Sequence, residues 1–294
     1  MRRFSVTSRL TQALILILLG VVGAASGVPA PPASLPARPA SLKFAVIGDN
    51  GTGKQPQYDV ASQMALAWNV FPFDLVLMVG DNFYGSQTPR DLVAKFEEPY
   101  RPLRDKGVEF RAALGNHDEP ASVHYRPIGM SGLRYYTFAK GNVRFVVLDS
   151  NFVDATQLQW ADQTLESAKE GWKICYFHHP LYGNAGRHGS NIELRVLIEP
   201  ILTRHGVQVV FSGHDHIYER LLLQKGILYF VTGSGGQLRK GDLVPSNSTA
   251  VGFDQDQAFL LVEIDGDEMF FEAISRTGVT VDSGYLRRGA SLTQ

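Results

Sequence analysis

Cysteine is nearly absent. Cys175 is the only one in 294 residues, so the chain has no internal disulfide and no cysteine pair for a zinc knuckle. Excess charge is missing as well. Its 28 basic and 29 acidic residues are mixed along the sequence and leave a formal net charge of -1, which gives no electrostatic footprint for a nucleic-acid partner. No internal repeat is visible, and no apolar run beyond residue 27 approaches the roughly 20 residues that a membrane-spanning helix needs. Stability therefore has to come from a core, and a composition that is 44% hydrophobic and 11% aromatic can supply one for a single large domain.

The first 27 residues carry Arg2, Arg3 and Arg9, then an apolar stretch from Ala13 to Val22, then Gly23, Ala24, Ala25 and Ser26. That order is the layout of a secretory signal peptide, so residues 1–27 are expected to direct export, periplasmic or secreted, without stable membrane insertion after cleavage. Residues 28–41 are rich in Pro and Ala and lack apolar periodicity, which reads as an extended tether. A single folded domain is expected over 42–294. Cys175 lies inside the apolar run 174–177 and reads as a buried structural thiol.

From Leu42 onward, short apolar runs alternate with amphipathic stretches. Strands are expected at 42–47, 75–79 and 110–114, with helices around 57–68 and 90–100 between them, a βαβαβ order that implies a largely parallel sheet. A hairpin fits 135–139 and 143–148 around the turn residues Lys140, Gly141 and Asn142. A helix at 155–169, a strand at 174–177, a helix at 191–205 closed by Gly206 and a strand at 207–211 follow. The remainder is strand-rich, at 227–232, 259–264, 269–274 and near 279–285.

Five short motifs fall just beyond these strands: GDNG (48–51), GDNFY (80–84), GNHD (115–118), FHHP (177–180) and GHDH (213–216). Ligands in open α/β sheets sit outside the carboxyl ends of the strands, so one shared sheet edge would bring all five together. Carboxylate and amide oxygens with imidazole nitrogens suit Mn, Fe, Zn or Co. Two such ions about 3.5 to 4 Å apart can clamp a phosphoryl group and lower the pKa of a bound water towards roughly 7. Phosphoester hydrolysis is the reaction that this donor set suggests.

In this order, GDxG, GDxxY, GNH(D/E), His-x-Pro and GHxH, the blocks resemble the metallophosphoesterase superfamily, and within it the small single-domain purple acid phosphatases of the tartrate-resistant kind. The resemblance covers roughly residues 42–285 and implies a four-layer αββα sandwich, two mixed sheets flanked by helices. It also implies that Asp49, Tyr84 and His216 bind a first metal and Asn116, His178 and His214 a second, with Asp81 bridging them. A phenolate from Tyr84 favours Fe(3+) at the first site; Fe(2+), Zn(2+) or Mn(2+) would suit the second. His117, and with it His188, would assist the leaving group, imidazole being able to donate a proton at mildly acid pH. The implied reaction is acid phosphatase chemistry, in which a metal-activated hydroxide cleaves a small-molecule or protein phosphomonoester and the chain acts as a monomer.

Competing readings are weaker. His179 adjoins His178, and the spacing to Pro180 favours His178 as the ligand; His124 and His205 read as structural. GDNGTGK at 48–54 fits the GxxxxGK of a phosphate-binding loop, but Gln55 stands where that loop needs Ser or Thr. A phosphodiesterase or nucleotidase of the same superfamily generally lacks the tyrosine of GDxxY. An exported binding protein that had lost catalysis would retain the ligands and lose His117.

Overall fold

Strand β1 (Leu42–Ile47) is buried along almost its whole length and lies between a parallel neighbour, β2 (Leu75–Met78), and an antiparallel one, β11 (Ala258–Asp265). The computed structural model describes residues 35–289, so the expected signal peptide at 1–27 and residues 28–34 of the expected tether lie outside the described residues. The rest of that stretch is fastened to the domain. The backbone N–H groups of Ala37 and Arg38 and the Ser41 hydroxyl donate to the Glu263 carboxylate at 2.6 to 2.7 Å, and Arg38 pairs with Asp265 at 2.7 Å.

After β1 the chain runs through α1 (Gln55–Trp68), β2, α2 (Pro89–Leu92), a π-helical turn (Val93–Glu97), α3 (Arg101–Arg104) and β3 (Glu109–Ala112). The hairpin β4 (Tyr136–Lys140) and β5 (Val143–Val147) precedes α4 (Ala155–Ser167), β6 (Trp172–Tyr176), α5 (Ile192–Arg204) and β7 (Val209–Ser212). Next come β8 (Tyr218–Leu221), β9 (Leu228–Thr232) and β10 (Thr249–Phe253), and β11 is followed by β12 (Glu268–Ser275) and β13 (Thr280–Arg287). One sheet has six strands in the order β13-β12-β11-β1-β2-β3; the other has seven, in the order β10-β8-β9-β7-β6-β5-β4. Both are mixed. The parallel blocks are β1-β2-β3 in the first and β5-β6-β7-β9 in the second.

Side-chain alternation along the central strands makes the layers. Phe145, Ile174 and Phe211 face the other sheet, whereas Val146, Cys175 and Val210 point outward and pack under α4 and α5. Phe44 meets Phe145 and Phe211 edge-on at ring separations of 5.6 and 6.2 Å, which locks the two sheets face to face. On the outer face of the six-stranded sheet, α1 buries Val60, Met64 and Ala67. The result is the expected four-layer α/β sandwich. Cys175 is fully buried, and desolvation pushes its thiol well above the ordinary cysteine range.

The helix expected at 90–100 is instead the short α2 continued by the π-helical turn, and α3 follows as a separate element. The Glu98 backbone N–H donates five residues back to the Val93 carbonyl at 2.9 Å, and Pro102 takes an N-terminal position of α3, where its missing N–H leaves no bond unmade. Strands β8 and β10 are additions to the expected set.

Candidate dimetal centre

All five motifs leave the carboxyl ends of parallel strands, three from the six-stranded sheet and two from the seven-stranded one. The turns are tight. Asp49, Asp81 and His214 take φ values of 54°, 52° and 70°, a left-handed conformation that L residues seldom adopt and that redirects each side chain sharply as its strand ends. Such close turning needs small neighbours. A Cβ on Gly233, in the GSGG stretch at 233–236, would stand 2.1 Å from the Asp215 carbonyl oxygen and 2.9 Å from Asp49 Oδ2, so that stretch serves to let backbones meet.

One ring nitrogen or carboxylate oxygen from each of Asp49, Asp81 and His216 lies within 4.8 Å of the others. Tyr84 joins this first cluster, its hydroxyl 3.0 Å from Asp49 Oδ1 and 3.1 Å from His216 Nε2. Lys95, on the π-helical turn, holds the loop that carries Tyr84 by donating to the Tyr84 and Ser86 carbonyls at 2.6 and 2.5 Å. Burial, followed by the charges of Asp49 and Asp81, pushes the Tyr84 phenol far above its usual range. Asp49 is likewise pushed well above the carboxylate range, by burial and then by Asp81. Burial also lowers His216 to about 4. Each of these shifts removes charge from a group that a nearby cation would instead hold ionised or lone-pair-bearing.

A second cluster contains His178, His179 and His214, with ligand atoms again within 4.8 Å of one another. His178 is fully buried and its Nδ1 lies 3.1 Å from the Val79 carbonyl, to which it donates. That contact fixes the tautomer, leaving Nε2 with a lone pair, the outer-shell arrangement usual for a metal-binding histidine. Nε2 points at Asn116 Oδ1, 3.0 Å away, and His214 Nδ1 lies 2.9 Å from the same oxygen. Burial and the neighbouring His179 push His178 well below the ordinary imidazole range, and its Nε2, Asn116 Oδ1 and His214 Nδ1 converge within 3.2 Å of one another as nitrogen and oxygen atoms suited to one cation. The residues present therefore fit a metal ion. Burial and then the neighbouring His178 lower His214 to about 2.

Asp81 reaches both halves, with Oδ1 3.4 Å from His178 Nε2 and accepting from the His117 backbone N–H at 2.9 Å. His117 is exposed, and its Nε2 lies 4.0 Å from Asp81 Oδ2. His188 is also exposed and packs against His214, the two rings tilted at 43° with centroids 4.3 Å apart. Every candidate named from the sequence is thus gathered at one sheet edge. His205 lies elsewhere, 2.8 Å from Asp162. Sequence reasoning set aside His179, whose Nδ1 is held 2.9 Å from the Ser150 hydroxyl and whose ring packs 4.4 Å from that of His214. It also missed the Val79 carbonyl, because a backbone acceptor has no signature in residue type.

Residues 42–218 match the family model described as calcineurin-like phosphoesterase. Among curated proteins, the chain is 29% identical to purple acid phosphatase 17 of Arabidopsis thaliana over 70% of this chain and 71% of that one. It is 26% identical to tartrate-resistant acid phosphatase type 5 of Sus scrofa over 94% of each. Among solved structures, a purple acid phosphatase from yellow lupin (Lupinus luteus) superposes with a TM-score of 0.70 at 17% identity, covering 88% of this chain and 55% of that one. GAP50, the anchor in the inner membrane complex of Plasmodium, gives a TM-score of 0.72 at 18% identity over 85% of this chain and 90% of that one. At these identities the superpositions speak for the fold alone. The family match spans every motif from GDNG to GHDH, the same segments whose side chains meet at the sheet edge, and the chain belongs to the calcineurin-like phosphoesterase family.

Proposed function

We propose that this chain is a dimetal acid phosphatase that hydrolyses phosphate monoesters at mildly acid pH. The observation that carries the reading is the Tyr84 hydroxyl within 3.1 Å of both Asp49 and His216, a phenol that a ferric ion would turn into a hard anionic donor in the first cluster. Asp49, Tyr84 and His216 would hold Fe(3+), and Asn116, His178 and His214 would hold Fe(2+), Zn(2+) or Mn(2+), with Asp81 serving both. When bound, the two ions supply positive charge against the phosphoryl oxygens and an acidified water near neutral pH.

The protein's own groups do the rest. With Oδ1 turned toward the histidines, Asn116 has its Nδ2 left to donate to a phosphoryl oxygen. His117 is exposed beside Asp81 and would give a proton to the leaving alcohol oxygen, with His188, packed against His214, as a second donor. Export belongs to the same proposal and rests on the arginines and apolar stretch within residues 1–27.

The test compares hydrolysis of an aryl phosphate and the matching bis-aryl phosphate by metal-loaded protein across the acid range. Faster turnover of the monoester, with a maximum below neutrality, is expected. Dominant diester cleavage would replace this reading with the phosphodiesterase one.

A further inference from the structure

Tyr84 differs from the other candidate ligands in how it is held. Those follow a strand end by four residues or fewer, whereas Tyr84 lies six residues beyond the end of β2, in a segment with no strand or helix of its own. Its place therefore depends on fastenings. The Tyr84 backbone N–H donates to the Gly51 carbonyl at 2.9 Å. The Lys95 ammonium donates to the Tyr84 and Ser86 carbonyls at 2.6 and 2.5 Å, and so bridges the turn at Gly85, whose φ is 69°.

Lys95 is only 8% exposed, and an ammonium is costly to bury unless acceptors meet it. The sequence puts it there through Pro99, four residues further on. Pro99 has no N–H to return to the Lys95 carbonyl, and in an α-helix its ring would collide with that carbonyl. The chain forms the π-helical turn Val93–Glu97 instead, a deviation often found at functional sites. Side chains of α1 supply donors to this turn: the Tyr58 hydroxyl donates to the Ala94 carbonyl at 2.9 Å, and Nε2 of the buried Gln57 to the Lys95 carbonyl at 2.5 Å. Gln57 Oε1 accepts in turn from the Gly53 N–H at 2.7 Å. The Lys95 stem passes over Gly53, where a Cβ would stand 3.2 Å from its Cγ. One side chain thus joins the π-helical turn, the start of α1, the segment after GDNG and the Tyr84 loop.

We infer that Lys95 is a positioning residue for the first cluster, holding the Tyr84 loop so that the phenol oxygen meets Asp49 and His216 together. The inference rests on the dimetal reading above, in which Tyr84 is a ligand of the first ion. Without the ammonium, the Tyr84 and Ser86 carbonyls are released on both sides of a glycine turn, and the phenol loses its fixed direction. Neither of the Lys95 Nζ hydrogen bonds goes to Asn116, His178 or His214, so removing it acts on one ion and spares the other.

The test uses iron-loaded full-length protein, its visible phenolate-to-iron band and the retention of each ion against a chelator. In Lys95→Met the band should weaken and move, and the first ion should be held about 10- to 100-fold less tightly, the usual effect of losing an outer-shell partner. Affinity at the second site should stay at the parent value, which general damage to the fold would not allow. Lys95→Arg, with donors for both carbonyls, should return most of the band. Gln57→Met frees the π-helical turn and leaves the ammonium in place, so it keeps the test open where Lys95→Met does not fold; a smaller change in the same direction is expected. A parent band that is unmoved in the folded variants, with first-site affinity unchanged, overturns the role of Lys95 and leaves the phosphatase reading in place. Iron-loaded parent protein without a band takes Tyr84 off the first ion, and the inference falls with that reading.

Discussion

The Tyr84 hydroxyl oxygen lies 3.1 Å from Nε2 of His216, so a phenol that follows β2 and an imidazole that follows β7 meet across the junction of the two sheets. If that focus holds a ferric ion, the phenolate gives the protein a visible charge-transfer band. Iron-loaded parent protein should be coloured and Tyr84→Phe colourless, with far-ultraviolet circular dichroism unchanged. A band that survives in Tyr84→Phe would take this tyrosine out of the metal site.

The second cluster depends on a glycine. Gly80 has φ 101°, and a Cβ there would stand 2.4 Å from His178 Nδ1. Gly80→Ala should therefore push the ring off the Val79 carbonyl and weaken the second ion about 10- to 100-fold, the usual effect of losing an outer-shell partner. Competition with a metal chelator, read as metal per chain, would show it; an unshifted second-site affinity would mean that this contact does not orient His178.

Arg220 on β8 and Asp282 on β13 join the two sheets through a buried ion pair, at 2.7 Å from Nε to Oδ2, and Tyr218 donates to the same carboxylate at 2.7 Å. Asp282→Ala strands a guanidinium in the interior. Urea denaturation should show a loss of about 3 to 5 kcal/mol. Activity well below the melting temperature should be retained, because neither Arg220 nor Asp282 is among the residues that form the two clusters.

Glu170 meets Arg144 with two contacts, 2.7 Å from Nη2 and 3.1 Å from Nε, and hydrogen bonding to that arginine lowers its pKa below the usual 4.5. The folded chain thus binds fewer protons here than the unfolded chain as pH drops. The contribution to stability is full above pH of about 4.5 and drains away as pH falls through the lower folded value. Melting curves of parent and Glu170→Gln should differ at neutral pH and draw together in strong acid; a constant gap would place the effect elsewhere.

Much of the site was legible because each of its motifs combines an apolar strand with the turn residues that end it. GDNG, GDNFY and GNHD announce their strands by Phe44–Ile47, Leu75–Met78 and Phe110–Ala112, and parallel order then places their ends at one edge. Strand β8 hid because Tyr218-Glu219-Arg220-Leu221 reads as polar, although all four residues are buried; its charges are satisfied by partners far away in sequence, such as Asp282. Strand β10, with Gly252 in Thr249–Phe253, carries no alternation to read. Arg134, Asn151 and Phe152, which line a cavity with Asn116, were invisible for another reason: none of the three belongs to a motif, and only the fold brings them together.

The left-handed backbone at Asp49 and Asp81 sets stability and function against each other. Both side chains are buried beside each other, and left-handed turns are easier for Gly or Asn than for most residues. Directed evolution for heat resistance alone, run in the presence of a chelator, should accordingly accumulate Asn or Gly at these two positions and yield a sturdier scaffold with no chemistry. The same selection run with metal present should keep both aspartates.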